Sequence, residues 1–400
     1  MRLLILLMIV APWAAAQNWP QWRGPTRDGH AVSFTAPAQW PSELKLEWKT
    51  EVGGGYSSPV VADGKACVFT RQKDEEVVSC LDVKTGKVLW RAAYPAPFGK
   101  NQYAQRMESG PFSTPVLHAG RLYALGINAV LSSFDAATGT VKWRHDFSRS
   151  MSTEKLFTGT AMSPLIDGDR VIVHVGDDRG GRVVAFDAAT GKEVWALAGD
   201  GPGYASPVIV TLGGKRQIVT MTDKSLIGVA AENGQLLWKF PFPDEWNENI
   251  VTPVQFENLL IFSGVRQGTV ALQSAGDTMK EVWRNKEVAM YMSSPVLTGG
   301  YLYGYSTRNK GQVVCLDPRT GEVQWKTPGR GGQNASLIAA GGFLLITGVD
   351  GDVTVARANP KAFETVASYK VSQSSTWPHP AVVGRQILIK DTAALSLWRF

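Results

Sequence analysis

The chain has 400 residues, with 41 Lys and Arg against 35 Asp and Glu for a formal charge of +6. The basic residues are scattered rather than blocked, which argues against a nucleic-acid-binding surface. After the first 16 residues no stretch is long and apolar enough to span a bilayer.

Residues 1–16 read as a signal peptide. Arg2 is the positive start, residues 3–10 the apolar run, and Ala14, Ala15 and Ala16 a small-residue cleavage site. The run is short for a membrane anchor, and no Cys follows it to carry a lipid. The expectation is an exported protein, periplasmic or secreted, monomeric and without a membrane span. Residues 17–43 come next, with Trp19, Trp22, Arg23 and Gly24 placed to pin this segment on the domain beyond.

The main domain is read as 44–400. It opens on LKLEWKT, a strand pattern holding Trp48. Then SPVVA, KACVFT, VVSCLD and KVLWRA follow, joined by short polar turns. This makes four strands with no helical period. The unit recurs. Asp-x-x-Thr-Gly-x-x-x-Trp ends at Trp90, Trp143, Trp195 and Trp325, and a weaker copy ends at Trp238. The fifth unit keeps Trp283 but loses the turn, and the seventh has Tyr369 at the aromatic position. A Ser/Thr-Pro pair starts most units, at Ser58, Thr114, Ser163, Ser206, Thr252 and Ser294. In each Thr-Gly turn Gly supplies the positive φ and Asp bonds the turn amides.

One four-stranded sheet cannot bury both faces, whereas radial stacking of such sheets buries them all. The period therefore predicts an all-β, eight-bladed β-propeller of four-stranded antiparallel blades. Seven units are full. The last, residues 379–400, shows three strands, and Trp48 lies in register 42 residues before Trp90. The N-terminal strand is expected to complete the eighth blade and remove the exposed edge. Cys67 and Cys80 flank a hairpin turn symmetrically, and two readings stay open for them. Export permits a disulfide, and two small buried side chains would serve as well.

The repeat resembles the pyrroloquinoline-quinone (PQQ) type propeller repeat, found in quinoprotein alcohol dehydrogenases and in the outer-membrane protein assembly lipoprotein. The likeness covers nearly the whole chain after residue 16. It implies that Trp48, Trp90, Trp143, Trp195, Trp238, Trp283 and Trp325 form a structural girdle docking adjacent blades. The opening NWPQWRGPTRDG is similar to that of exported PQQ-like repeat proteins.

The resemblance also raises PQQ with calcium as a cofactor. Quinoprotein dehydrogenases are longer, carry adjacent cysteines and hold calcium with Glu, Asn and a catalytic Asp. No such set can be matched here. Asp177-Asp178 and Glu248-Asn249 are the close polar pairs on the rim, and acidic residues on solvated turns explain them. The five His lack metal-ligand spacing, no Gly-x-Ser-x-Gly elbow appears, and GDDRGGR lacks the Lys-Ser/Thr of a phosphate loop. No catalytic residue, metal site or cofactor is assigned.

The long connections between blades share one face. They carry Tyr103, Arg106, Glu108, Arg149, Trp246, Asn247, Arg330 and Asn334, and with Asp178 and Arg179 of the strand connection GDDRGGR these are candidates for ligand or partner binding. The favoured function is a non-enzymatic binding or scaffold module for a protein or extracellular polymer. The alternatives are a quinone-dependent oxidoreductase with its cofactor at the channel mouth and an enzyme acting on polysaccharide.

Overall fold

The computed structural model describes residues 18–400 except 151, 153–155 and 157; the signal-peptide reading of 1–16 lies outside them. Thirty-two strands form eight four-stranded antiparallel sheets. Blade 1 runs outward from the axis through Val60–Ala62, Lys65–Gln72, Glu75–Asp82 and Val88–Pro95. Blades 2 to 7 span 116–146, 165–199, 208–241, 254–285, 296–326 and 335–370 in the same order. Blade 8 takes three strands from 381–399 and its outermost from Lys45–Glu51, which pairs with Ala394–Arg399. The ring is closed by that shared blade.

The outer hairpin shows how the repeat makes a blade. Asp82 Oδ1 accepts from Lys84 N at 3.1 Å, Thr85 N at 2.8 Å and Thr85 Oγ1 at 2.8 Å. Gly86 then takes φ 68°, and its N–H returns to Asp82 O at 2.8 Å. A side chain there would meet the Trp48 ring at 2.6 Å. The same dock recurs around the ring, with Trp90 on Gly139, Trp143 on Gly191, Trp195 on Gly234 and Trp283 on Gly321. Each indole comes from the outer strand of one blade and covers the glycine turn of the next, Thr-Gly in four cases and Asn233-Gly234 under Trp195. In four of the five the N–H donates to the residue after that turn's Asp: Trp48 to Val83 O (2.9 Å), Trp90 to Ala136 O (3.1 Å), Trp143 to Ala188 O (3.0 Å) and Trp283 to Pro318 O (3.0 Å). Blade 5 lacks the turn, and Trp238 accordingly donates to Gln217 Oε1 within its own blade.

The core lies between blades. Phe69, Val78 and Cys80 of blade 1 pack on Leu122, Ala124 and Phe134 of blade 2, and the blade 8–blade 1 seam joins Leu388 and Leu397 to Ala66, Val68 and Leu81. Cys67 and Cys80 pair across adjacent strands and are joined by a disulfide.

Residues 18–43 enter the channel from the face that carries the Thr-Gly turns. Trp19 exchanges backbone bonds with Val61 (2.7 and 2.8 Å), and Pro20 O accepts from Leu117 N at 2.8 Å. Arg27 donates to Ser163 O and Pro164 O, and Arg23 to Pro295 O. Ala31 and Gly29 bond Ala339, both at 2.8 Å. Arg23 and Arg27 are buried. The segment thus touches blades 1, 2, 3, 6 and 7 and closes that end of the channel, before Phe34 and Trp40 pack on Phe400 and lead to blade 8.

Candidate functional site

Among the described residues, the other end of the channel holds an open cavity. Each Ser/Thr-Pro pair sits where a blade begins beside the axis, and from Thr114 to Ser294 its hydroxyl accepts a backbone N–H from the blade before. Ser58 N donates to Thr114 Oγ1 (3.1 Å), Thr114 N to Ser163 Oγ (3.0 Å), Ser163 N to Ser206 Oγ (3.0 Å), Ser206 N to Thr252 Oγ1 (3.1 Å) and Thr252 N to Ser294 Oγ (3.0 Å). This relay holds six blades at fixed spacing around the mouth.

Two residues before each Ser/Thr-Pro, and before His379-Pro380, the chain points a side chain into the opening. Those residues are Tyr56, Phe112, Ala161, Tyr204, Ile250, Met292 and Trp377. With Tyr291, Met107, Glu248 and Asn334 they line a cavity of about 170 Å³, and Trp22 of the N-terminal segment is among its walls. Tyr56 stacks on Trp377 at 5.5 Å between ring centres and tilts on Phe112 at 5.2 Å. The guanidinium carbons of Arg23 and Arg27 lie 5.5 and 5.9 Å from the centre of the Trp22 ring.

Glu248 is the one carboxylate among the described lining residues. Burial pushes its pKa up; a hydrogen bond from Tyr291 opposes that, Asp244 adds to it and Arg266 opposes it. Burial, then Glu248, raises the Tyr291 phenol. The loop is organised beneath the carboxylate. Asp244 Oδ1 accepts from Trp246 N (3.0 Å) and Glu248 N (3.2 Å), and Asn249 Nδ2 donates to Thr222 O (2.9 Å) and Phe242 O (3.0 Å). Across the mouth, Glu108 lies beside Tyr56, whose pKa is raised by burial foremost. Behind them Lys390 is buried and donates to Gly55 O and Asp391 O, both at 3.0 Å. Burial brings its pKa down to about 8, against the pull of Asp391 and Glu108.

The ten residues read from the loops are spread around the rim. Only Asn334 lines the cavity, and Glu108 stands at its edge. Arg106, Arg149 and Asp178 are exposed on separate connections, and Trp246 and Asn247 are exposed together on a fourth. Arg179 holds Asp177. That pair fastens the blade 3 turn to the preceding loop through Ser152 N, which donates to Asp177 Oδ2 at 2.9 Å. Arg330 borders a second groove, with Thr307, Lys310 and Gln333. The backbone of Tyr103 lies in a short 3-10 turn, and its side chain is outside the described residues. The aromatic wall was missed because it recurs by position and not by residue type.

Eight such blades, five of which carry this glycine turn under a neighbour's tryptophan, define a PQQ-like β-propeller. A family model described as outer membrane protein assembly factor BamB matches residues 73–327, so the chain belongs to that family. Outer membrane protein assembly factor BamB of Kangiella koreensis is 34% identical over 122 residues, 30% of this chain and 27% of that protein. Its counterpart in Shewanella oneidensis is 24% identical over 273 residues, 63% of this chain and 65% of that protein. The chain thus spans less than two thirds of either. Quinohemoprotein alcohol dehydrogenase ADH-IIG of Pseudomonas putida is 27% identical over 158 residues, 38% of this chain and 21% of that protein. Among solved structures, BamB from Moraxella catarrhalis superposes with a TM-score of 0.65 at 15% identity, covering 89% of this chain and 98% of that one. Quinohemoprotein alcohol dehydrogenase from Comamonas testosteroni gives 0.72 at 12% identity, covering 96% and 80%. At such identities the superpositions establish the fold alone.

The dehydrogenase likeness raises a calcium-bound quinone, and the residues do not fit one. Calcium takes six to eight oxygens, with carboxylates prominent. The cavity offers one carboxylate, and among the described residues no three His, Cys, Asp or Glu side chains cluster to hold a metal. Among the described residues, too, no helix is long and apolar enough to cross a membrane.

Proposed function

We propose that this protein is a non-enzymatic propeller module of the periplasm or the cell exterior, which binds a protein partner or extracellular polymer through its inter-blade face. The observation that carries the reading is the mouth itself: a rigid, predominantly apolar and aromatic cavity with one carboxylate, surrounded by long loops. Aromatic side chains in a fixed pocket with polar loops around it make a recognition surface. The relatives described as outer membrane protein assembly factors weigh toward a protein partner and a periplasmic site.

Calorimetric titration with PQQ, with and without calcium, tests the reading against the quinone-dependent oxidoreductase. No saturable binding is expected. Substitutions in the 92–110 and 241–250 loops are expected to change partner capture and to produce no change in dye-linked alcohol oxidation. Stoichiometric sub-micromolar PQQ binding would put the oxidoreductase in its place.

A further inference from the structure

We infer that the mouth cavity receives an alkylammonium group, either a lysine side chain of a partner polypeptide or a free small amine. The inference rests on the binding role proposed above and gives it a chemistry. Glu248 is half-buried in the wall, and its hydrogen-bond partner there, the Tyr291 phenol, is neutral. Arg266, the positive charge that acts on it, is held by Glu245. No Lys or Arg lines the cavity among the described residues. A half-buried carboxylate without a cation in contact is costly, and an ammonium group entering the cavity removes that cost.

The rest of the wall suits the same ligand. Tyr204, Tyr291 and Tyr56 bring aromatic rings to the cavity, and such rings attract a cation to their faces. Trp22 is already flanked by Arg23 and Arg27, which directs an entering cation toward the Glu248 side. An anion would be repelled by Glu248. A sugar needs many free donors and acceptors, whereas the wall hydroxyls of Ser163, Ser206, Thr252 and Ser294 already accept backbone N–H groups.

Saturation-transfer NMR titrations of the full mature protein with Nα-acetyl-lysine methylamide, choline, n-butanol and cellobiose test this. The two cations should bind saturably, n-butanol at least about tenfold more weakly, and cellobiose not at all. Glu248→Gln should weaken both cations roughly tenfold or more, the size expected for a lost charged contact. Tighter binding of the lysine derivative assigns the site to a polypeptide, and tighter binding of choline to a free amine. If Glu248→Gln proves unfolded, Tyr204→Leu takes its role and should weaken choline several-fold while leaving n-butanol unchanged. Equal binding of n-butanol and the cations, saturable cellobiose binding, or indifference to both substitutions would overturn the inference. Partner capture by a protein that binds no amine would remove this inference and leave the scaffold reading in place.

Discussion

At the scale of single residues the girdle separates docking from exposure. Trp195 is 8% exposed and covers Gly234, while Trp246 is 48% exposed on a loop. Trp195→Ala should cost roughly 3–5 kcal/mol, and Trp246→Ala about 1 kcal/mol or less. Chemical denaturation reads both, and equal losses would mean that one is misplaced. The indole N–H adds a finer contrast. Trp90 donates to Ala136 O, whereas the buried Trp195 N–H has no partner, and Ala231 O, the carbonyl at the corresponding position, accepts from Arg170. Trp90→Phe should therefore cost about 1 kcal/mol more than Trp195→Phe. These docks were legible in the sequence, since Trp and Gly both stand in the repeat. The exception at Trp238 follows from the turn that unit five visibly lacks.

Lys390 was not legible at all, because nothing local marks a lysine as buried. It gives the stability curve a defined slope. Burial lowers its pKa from 10.5 to about 8. Below pH 8 folded and unfolded chains both hold the proton, and the burial penalty is fully present. Between about 8 and 10.5 the unfolded chain binds the proton that the folded one releases, so stability rises with pH. Lys390→Met should remove a rise of roughly 2 kcal/mol between pH 7.5 and 10. Denaturation curves that shift in parallel for both proteins would contradict this.

At the scale of elements, the Ser/Thr-Pro pair and the aromatic two residues ahead of it work together. The sequence showed the pair as a marker, but not its hydroxyl as an inter-blade clamp. Its partner is a backbone N–H more than 40 residues away, which no local pattern reveals. Likewise Tyr56, Phe112, Ile250, Met292 and Trp377 share a position and little chemistry, so they become a wall only once the axis is placed. Rim residues such as Arg106 and Arg149 were picked by loop length, which marks exposure and not convergence. Thr252 Oγ1 both accepts from Ser206 N and donates to Ser206 O. Thr252→Val keeps the shape and strands both buried backbone groups, so a loss of roughly 1–3 kcal/mol is expected. A variant as stable as the parent would remove the clamp from the account.

At the scale of the whole molecule, ring closure was legible because Trp48 keeps the register of the other units, and the shared blade follows from it. The plugging of one channel end by residues 18–43 was read only as packing on the ring, with Arg23 among the residues that pin it; the part played by Arg27 was not read from the sequence. Deleting residues 17–52 removes the plug and the outer strand of blade 8 together. The melting temperature should fall for the entire domain, since the blade 8–blade 1 seam loses Trp19, Trp48 and Val52. A truncated protein that melts with the parent would deny the closure its role.

Binding by the inter-blade face of the ring is the proposal on which the function rests. Photo-crosslinking in the native cell envelope tests it most directly, with a benzophenone side chain placed in turn at positions 106, 246 and 330 on the inter-blade face and at 85 and 190 on the Thr-Gly turns. A specific adduct that excess unlabelled protein competes away is expected from the first set, and none from the second. Adducts confined to positions 85 and 190, or equal from both faces, would contradict it.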